Sequence, residues 1–380
     1  MKKILVFIDW YKPGYKAGGP IRSMVNMVDH LSDRYEFYII TRNVDYLESE
    51  PYKNIESDKW TKMSENESVY YFSNKKLSFN QIKKLIFSTP FDVAYINGIY
   101  SFYFSIIPLL ILKTIKKSKY IIAPRGMLSQ QTFKAKVLKK KIGILLARLF
   151  RLYNNAIFHT TIGLESSEIK KLKINPKSFS QITNFPPSSN NRSLDRIDKK
   201  KGELKLVCTA RISNEKNTLF ALQCLKNYEY NGTINFDLYG SVYQQDYWKR
   251  CLDVISKLPK NINVNYLKDI SNDKVFQVLQ NNHFLFMPSL GENFGHSILE
   301  SFMAGCPVII SKRTPWTNLE QKGLGWDLDL NKPESFAIAI QKAIDLNNES
   351  YNSLSEKTRK FASKYIDNQN LKNEYCQLFG

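Results

Sequence analysis

Two glutamates eight residues apart, Glu292 and Glu300, lie in the stretch Met287–Trp316, MPSLGENFGHSILESFMAGCPVIISKRTPW. Phe284–Met287 is a short apolar run, the pattern of a buried strand. Pro288 to Gly295 holds two glycines and reads as a loop. From His296 to Ala304, Ile298, Leu299 and Phe302 recur at helical spacing, and Gly305 suits the position just past a helix end. Pro307–Ile310 is a second strand-like run. In a strand–loop–helix–strand unit, ligands bind at the carboxyl end of the strand. Glu292 then lies over that strand end and Glu300 about two turns into the helix. The amides of Ser297, Ile298 and Leu299 fall in the first turn, where no intrahelical partner is expected. Such a helix start attracts phosphate. One elongated ligand would meet a carboxylate, then amides, then a second carboxylate, the order of sugar, diphosphate and ribose in a sugar nucleotide. A bare Glu-x7-Glu also describes a capped surface helix with two solvated glutamates, which is its commoner meaning.

Other residues with chemical potential also sit at expected strand ends. Leu204–Ala210 is an apolar strand followed by Arg211-Ile-Ser-Asn-Glu-Lys216 and a helix from Asn217 to Leu225. Arg211 and Lys216 can both reach the carboxyl edge of the sheet, where two cations would neutralise a diphosphate and stabilise its departure. Near the start, Ile4–Ile8 is a continuous apolar run of the central-strand type. The loop Asp9–Gly19 follows, and Pro20 suits a first helical position. Gly18-Gly19 permits close approach of backbone to a ligand, though an isolated pair also fits an ordinary tight turn. The GxGxxG pattern of hydride-transfer sites is absent. Arg125, in Ala123–Ser129, offers a planar fork for a phosphate or sugar oxygen, or is a surface arginine before a turn.

These loops need sheets to hold them. Further strands are expected at Phe37–Thr41, Val69–Phe72, Val93–Ile96, Tyr120–Ala123 and Ala156–Thr160, then at Ile234–Tyr239, Ile262–Tyr266 and Val308–Ile310. Their alternation with helical stretches implies doubly wound α/β domains. Asn184–Lys201 is polar and carries two prolines, as a linker would. The expected division is residues 1–187, a linker at 188–202, and 203–360. A chain of 380 residues with 43% hydrophobic content has material for two cores and is not of disordered type.

The net charge of +20 is lopsided, with 30 Lys+Arg against 14 Asp+Glu in residues 1–190. A basic half suggests an anionic partner such as a membrane surface, nucleic acid or phosphorylated substrate. Phe133–Tyr153 is expected to be an amphipathic helix with a stripe at Ile142, Leu145, Leu149 and Leu152. Its seven cations are Lys134, Lys136, Lys139, Lys140, Lys141, Arg148 and Arg151, and it has no acid. Such a helix lies in an anionic membrane interface, or packs as a core helix with a wet basic side. The longest apolar stretch, Phe102–Leu112, is too short to span a bilayer. No signal peptide is evident. Five cysteines without CxxC spacing argue against a disulfide framework or zinc site and suit a cytoplasmic setting. His30, His159, His283 and His296 lack metal-ligand spacing, and no DxD pair stands near a strand end; Asp327-Leu-Asp329 lies beyond the Met287–Trp316 stretch. No metal or other cofactor is expected.

Glu292-Asn-Phe-Gly295 through Glu300, with Ala304-Gly-Cys-Pro307 and Thr314-Pro-Trp316, resembles the donor segment of GT-B glycosyltransferases of the family-4 type. The resemblance implies two Rossmann-like domains facing a cleft. A C-terminal helix at about 361–380 would pack back on the first domain. It implies that Glu292 contacts the donor sugar, that Glu300 holds the ribose, and that amides of Phe294 and Gly295 face the sugar. Asn293 and Ser297 complete that segment. Arg211 and Lys216 match the diphosphate-binding pair, and Gly18-Gly19 a glycine pair facing the donor phosphates. Where the family often reads Pro-His-Gly, this chain has Arg125, which departs from any histidine-dependent step. The implied activity is sugar transfer from a nucleotide sugar to a hydroxyl acceptor with retention of configuration. The expected acceptor is a glycan or lipid-linked oligosaccharide of cell-surface polysaccharide assembly, reached from the inner face of the membrane. Two rival readings are a basic nucleic-acid-binding protein, for which no motif is clear, and a GT-B relative that binds sugar nucleotide without transferring.

Overall fold

The computed structural model describes residues 1–115, 119–128, 143–145, 147–188, 197–367 and 370–380. The chain forms two compact units, Met1–Ser188 with Gln369–Gly380, and Ser189–Asn368.

The first unit carries an eight-stranded sheet. Its strands are β1 (Lys2–Ile8), β2 (Tyr35–Arg42), β3 (Trp60–Ser64), β4 (Glu67–Phe72), β5 (Val93–Asn97), β6 (Lys119–Ala123), β7 (Ile157–Thr160) and β8 (Ser178–Gln181). They lie in the order β3-β4-β2-β1-β5-β6-β7-β8, and only β3 runs antiparallel to its neighbour. β1 is buried from Ile4 to Ile8 because helices cover both of its faces. On one face, α1 (Gly19–Leu31) and α12 (Asn370–Phe379) pack over Ile4, Val6 and Phe37. On the other, α2 (Phe79–Ser88), α3 (Ile107–Leu112) and the side chains of Ile144, Ala147, Leu152 and Tyr153 cover Leu5, Phe7 and Ile96. A π-helical turn, Phe102–Ile106, leads into α3, and α4 (Gly163–Lys171) follows β7.

The second unit has six parallel strands, β9 (Glu203–Thr209), β10 (Thr233–Tyr239), β11 (Ile262–Tyr266), β12 (Phe284–Met287), β13 (Val308–Ser311) and β14 (Gly325–Leu328). Their order is β11-β10-β9-β12-β13-β14. The helices are α5 (Thr218–Asn227), α6 (Gln245–Ile255), α7 (Asn272–Gln280), α8 (His296–Met303), α9 (Leu319–Lys322), α10 (Pro333–Asp345) and α11 (Asn348–Ile366).

The expected linker, 188–202, includes residues 189–196, which lie outside the described residues. The rest of it is pinned to the second unit. Lys199 is buried and donates to the carbonyls of Lys200 and, at the end of α10, of Ile344 and Leu346. The expectation that the chain returns to the first unit from residue 361 is corrected. α11 runs unbroken to Ile366, and its Phe361 and Tyr365 pack on Phe302 and Trp316 of the second unit. Only α12 belongs to the first unit, with Leu371, Tyr375, Leu378 and Phe379 in its core.

The basic helix expected at Phe133–Tyr153 lies largely outside the described residues, including Lys134, Lys136, Lys139, Lys140 and Lys141. Where it is described, its orientation differs from the expected stripe. Ile144, Ala147 and Leu152 are buried, whereas Leu145 and Leu149 are exposed.

Candidate functional site

In each sheet the strand order reverses beside the first strand, so the loops leaving two neighbouring strands turn to opposite sides. Such a reversal opens a crevice at the carboxyl ends of the strands. In the second unit the reversal falls between β9 and β12. The loop after β9 carries Arg211 and Lys216; the loop after β12 carries Glu292. The topology thus brings two loops far apart in sequence to one sheet edge.

The two loops are stitched by main-chain groups. Leu290 N donates to Glu215 O at 2.9 Å, and Asn217 Nδ2 to Pro288 O at 3.1 Å. Ser297 Oγ donates to Thr209 O at 2.9 Å, tying the start of α8 to the end of β9. Across this frame Lys216 Nζ meets Glu292 Oε1 at 2.6 Å, with the side chains 20% and 10% exposed. Partial burial makes this pair stronger than a surface one. Arg211 lies over the ring of Tyr243, 5.4 Å from its centroid.

Gly295 caps α8 at φ 77°, a left-handed conformation. A Cβ there would meet Ile298 Cδ1 at 2.9 Å and Trp316 Nε1 at 3.3 Å, so glycine suits both the turn and the space. Trp316 Nε1 donates to Phe294 O at 2.6 Å, which fixes the peptide entering the helix. The expected free helix start is corrected in part. Ile298 N and Leu299 N both donate to Gly295 O, at 2.9 and 3.3 Å, because the turn tightens at the cap. The amides of Phe294, Gly295 and Ser297 donate no hydrogen bond among the described residues. Asn293 Nδ2 is buried and also lacks a partner there. These donors gather in the loop and first turn, beside Glu292. Glu300 is half-buried one turn further along α8. His296 is buried, its ring edge-on to Phe294 at 4.7 Å. Asp327 is used locally: its carboxylate accepts from Asn318 N and Leu319 N at the start of α9. Among the described residues no three His, Cys, Asp or Glu side chains gather as a metal site.

Three expected site residues lie in the first unit. Gly18 caps α1 at φ 72°, with Gly19 and Pro20 opening the helix. Gly18 N is taken by Tyr15 O at 2.9 Å. Arg125 follows β6 at φ 53°. Its guanidinium is not the open fork expected. It donates to Asn97 Oδ1 at 2.8 Å, to Tyr95 Oη at 2.9 Å and to Asn184 Oδ1. It is closed on protein partners because three strand ends converge on it. Glu165, in α4, secures the same turn: Oε1 accepts from Gly126 N at 2.6 Å, and Oε2 from Thr161 N at 2.9 Å. Tyr95 in turn meets His159 Nδ1 at 2.7 Å, and His159 Nε2 lies 2.9 Å from Ile182 O. Burial, then the charge of Arg125, pushes His159 down to about 3, so its ring is neutral.

Sequence reasoning missed Asp9. This carboxylate ends β1 at the strand-order reversal of the first sheet, between β1 and β5. Asp9 Oδ1 accepts from Ser101 Oγ at 2.8 Å and Arg42 Nη2 at 3.4 Å. Burial raises its pKa, against the lowering effect of Ser101 and Arg42. Oδ2 has no partner among the described residues. Asn97 pairs in register with Ile8, and its buried Nδ2 also lacks a partner there. The available signal was an acid directly after a central-strand run, at the place where a parallel sheet presents ligand groups.

Residues 190–361 match the family described as Glycosyl transferases group 1. Solved structures share the architecture over the whole chain. Anabaena Alr3699/HepE in complex with UDP and glucose is 15% identical, with a TM-score of 0.69 over 100% of this chain and 99% of its own. Sucrose-phosphate synthase from Thermosynechococcus elongatus is 15% identical, with a TM-score of 0.70 over 100% and 98%. A TarM mutant of S. aureus, in complex with fondaparinux, alpha-GlcNAc-glycerol and UDP, is 13% identical, with a TM-score of 0.67 over 100% of both chains. No curated protein sequence matches the chain. The architecture is GT-B, two Rossmann-like doubly wound domains. The group 1 match lies within the second unit.

Proposed function

We propose that the chain transfers a sugar from a uridine-type nucleotide donor to a hydroxyl acceptor, with retention of configuration, as a family-4 hexosyltransferase. The observation that carries this reading is the Lys216–Glu292 pair at the reversal of the second sheet, beside the unpartnered amides of Phe294, Gly295 and Ser297. Lys216 and Arg211 neutralise the diphosphate, most strongly as the sugar departs and charge develops. A bound diphosphate competes with Glu292 for Lys216, which frees the carboxylate to orient the sugar hydroxyls. The amides of Phe294, Gly295 and Ser297, with Asn293 Nδ2, supply the neutral donors. Glu300 accepts the ribose hydroxyls. No metal enters this scheme, because the cations and amides supply the charge stabilisation. The choice of uridine is supported by the UDP in the HepE and TarM structures.

On this reading the acceptor is a glycan or lipid-linked oligosaccharide of cell-surface polysaccharide assembly, and the enzyme works in the cytoplasm at the inner face of the membrane. No helix among the described residues is long and apolar enough to cross a bilayer, so membrane contact would be peripheral. The test is thermal unfolding with UDP, other nucleoside diphosphates and a panel of sugar nucleotides. A ligand at 100 times its dissociation constant stabilises by about 2.7 kcal/mol. Stabilisation by UDP and a UDP-sugar, followed by release of UDP on turnover, is expected. No shift with any nucleotide would remove the reading; a shift without turnover towards water or glycan acceptors would leave a binding protein.

A further inference from the structure

The two helical layers of the first sheet differ in what they show to water. On α1 and α12 no large apolar side chain is exposed. On the opposite side lie seven of the fifteen exposed large apolar side chains among the described residues. They include Phe79 and Phe87 on α2, Leu110 on α3, and Leu145, Leu149 and Phe150 beyond. These elements adjoin. α2 packs on α3, and Lys113 at the end of α3 donates to the carbonyls of Phe150 and Arg151, both at 3.1 Å. Their inner faces are fully used, with Ile82, Ile86, Leu109, Ile111, Leu112 and Ile144 in the core. The outward Phe and Leu side chains are therefore surplus to folding, and a cluster of that kind marks an interaction surface.

The charge around it has one sign. Residues 68–164 contain sixteen Lys+Arg and a single acid, Asp92. That acid is engaged, accepting from Lys3 N at 2.7 Å. On α2, exposed Phe79, Lys83 and Phe87 recur every four residues, and Lys84 flanks them. Apolar side chains interleaved with cations on one helical surface fit the interface of an anionic bilayer. The chains enter the acyl boundary while the cations meet headgroups. Nucleic acid would use the cations but gain nothing from exposed leucines, which do not stack on bases.

We propose that the α2–α3 layer of the first unit, with Leu145, Leu149 and Phe150, docks on an anionic lipid surface, with Phe87 and Leu149 entering the acyl boundary. The proposal deepens the peripheral reading above by naming the face and the lipid chemistry. It does not depend on donor chemistry, which belongs to the other unit and is measured separately.

The full chain is sedimented at low salt with vesicles of phosphatidylcholine alone, or with a quarter of phosphatidylglycerol. Binding to the mixed vesicles and not to the neutral ones is expected. Lys83→Gln with Lys84→Gln should lower it roughly tenfold or more. Phe87→Ser with Leu149→Ser should lower it comparably, with no change in the response to UDP. Lys360→Gln, in the second unit, should change nothing. For a readout that does not rely on loss, Phe87→Trp should gain fluorescence quenched by brominated lipid. Absence of parent binding, or full binding by both double variants, would overturn the proposal. So would a Phe87→Trp signal untouched by brominated lipid, or RNA that displaces the vesicles while Phe87→Ser with Leu149→Ser binds them normally. Failure of the UDP response with intact vesicle binding would sink the donor reading and leave this one standing.

Discussion

The two sheets reverse strand order at equivalent places, β1 beside β5 in the first unit and β9 beside β12 in the second. The residues there have opposite character. The second unit offers two cations, Arg211 and Lys216, with amides that have no partner among the described residues. The first offers a desolvated carboxylate, Asp9, and an amide of Asn97 without a partner among the described residues, while its cation Arg125 is closed on Asn97, Tyr95 and Asn184. A parallel sheet presents loop groups at this edge whatever they are. Side chains then decide the ligand. Cations and open amides suit a diphosphate; a carboxylate with one free oxygen suits a hydroxyl group. On the proposed reading, the first unit would receive a hydroxyl and the second the diphosphate.

The sharpest way to break this comparison is to remove a cation from the second unit. Lys216→Ala leaves Glu292 without its partner and the departing diphosphate without a positive charge. Loss of one such electrostatic contact costs roughly 10²–10³ in rate. We expect that fall in the maximal rate of UDP-sugar turnover, and activity within about threefold of the parent would end the assignment. EDTA should leave the parent's rate unchanged; its abolition by EDTA would require a metal in the scheme.

A second difference concerns acid. The edge of the first unit is wired through neutral His159, held at about 3 by burial, whereas His283 in the second unit is held at about 4. A histidine whose folded pKa lies below its unfolded value, about 6.5, gives stability that is complete above that value. It is lost as pH falls, because the unfolded chain binds the proton first. For His159 the loss between pH 6.5 and 3 is at most roughly 5 kcal/mol. Acid unfolding followed by hydrogen exchange should open the first unit before the second. Simultaneous opening would show that the Arg125–Tyr95–His159 wiring does not dominate.

The central strands, the strand–loop–helix–strand unit around Glu292 and the two-domain fold were legible because apolar runs and glycine punctuation are local signals. β3, β8 and β14 were not. Trp60–Ser64 and Ser178–Gln181 are edge strands with exposed or half-buried residues, and Gly325–Leu328 is short and half-buried at its sheet edge. Their pairing rests on main-chain bonds to a neighbour, which leaves little trace in residue type. The ion pair between Lys216 and Glu292, 76 residues apart, follows from the adjacency of β9 and β12 and not from spacing. The closure of Arg125 depends on Asn184, which sequence reading placed in a linker. Asp9 was passed over because a lone acid after a strand carries no motif.

On the proposed reading, Glu300→Ala tests the carboxylate that accepts the ribose. Two ribose hydrogen bonds to a charged acceptor are worth about 1.5–3 kcal/mol each. With partial replacement by water, UDP affinity should fall by roughly ten- to a hundredfold. Calorimetry with UDP measures this directly. An unchanged affinity in the folded variant would move the ribose elsewhere and leave Glu300 as a surface acid.

The smallest effect is expected at Asp9, and it separates the two units most cleanly. Asp9→Asn keeps the size of the side chain and a carbonyl oxygen for Ser101 and Arg42, but replaces the negative charge by a neutral amide. If Oδ2 receives a hydroxyl of the acceptor, loss of a charged acceptor bond costs about 1.5 kcal/mol, or roughly tenfold in transfer rate. UDP affinity, which depends on the second unit in this reading, should stay constant. The raised pKa of Asp9 adds a signature. The parent's transfer rate should fall in mild acid as the carboxylate takes a proton, and Asp9→Asn should lose that limb of the profile. Transfer is measured with a glycan acceptor once the donor panel has named the sugar. If Asp9→Asn weakens UDP binding as much as transfer, the division between a hydroxyl-binding and a diphosphate-binding reversal is wrong.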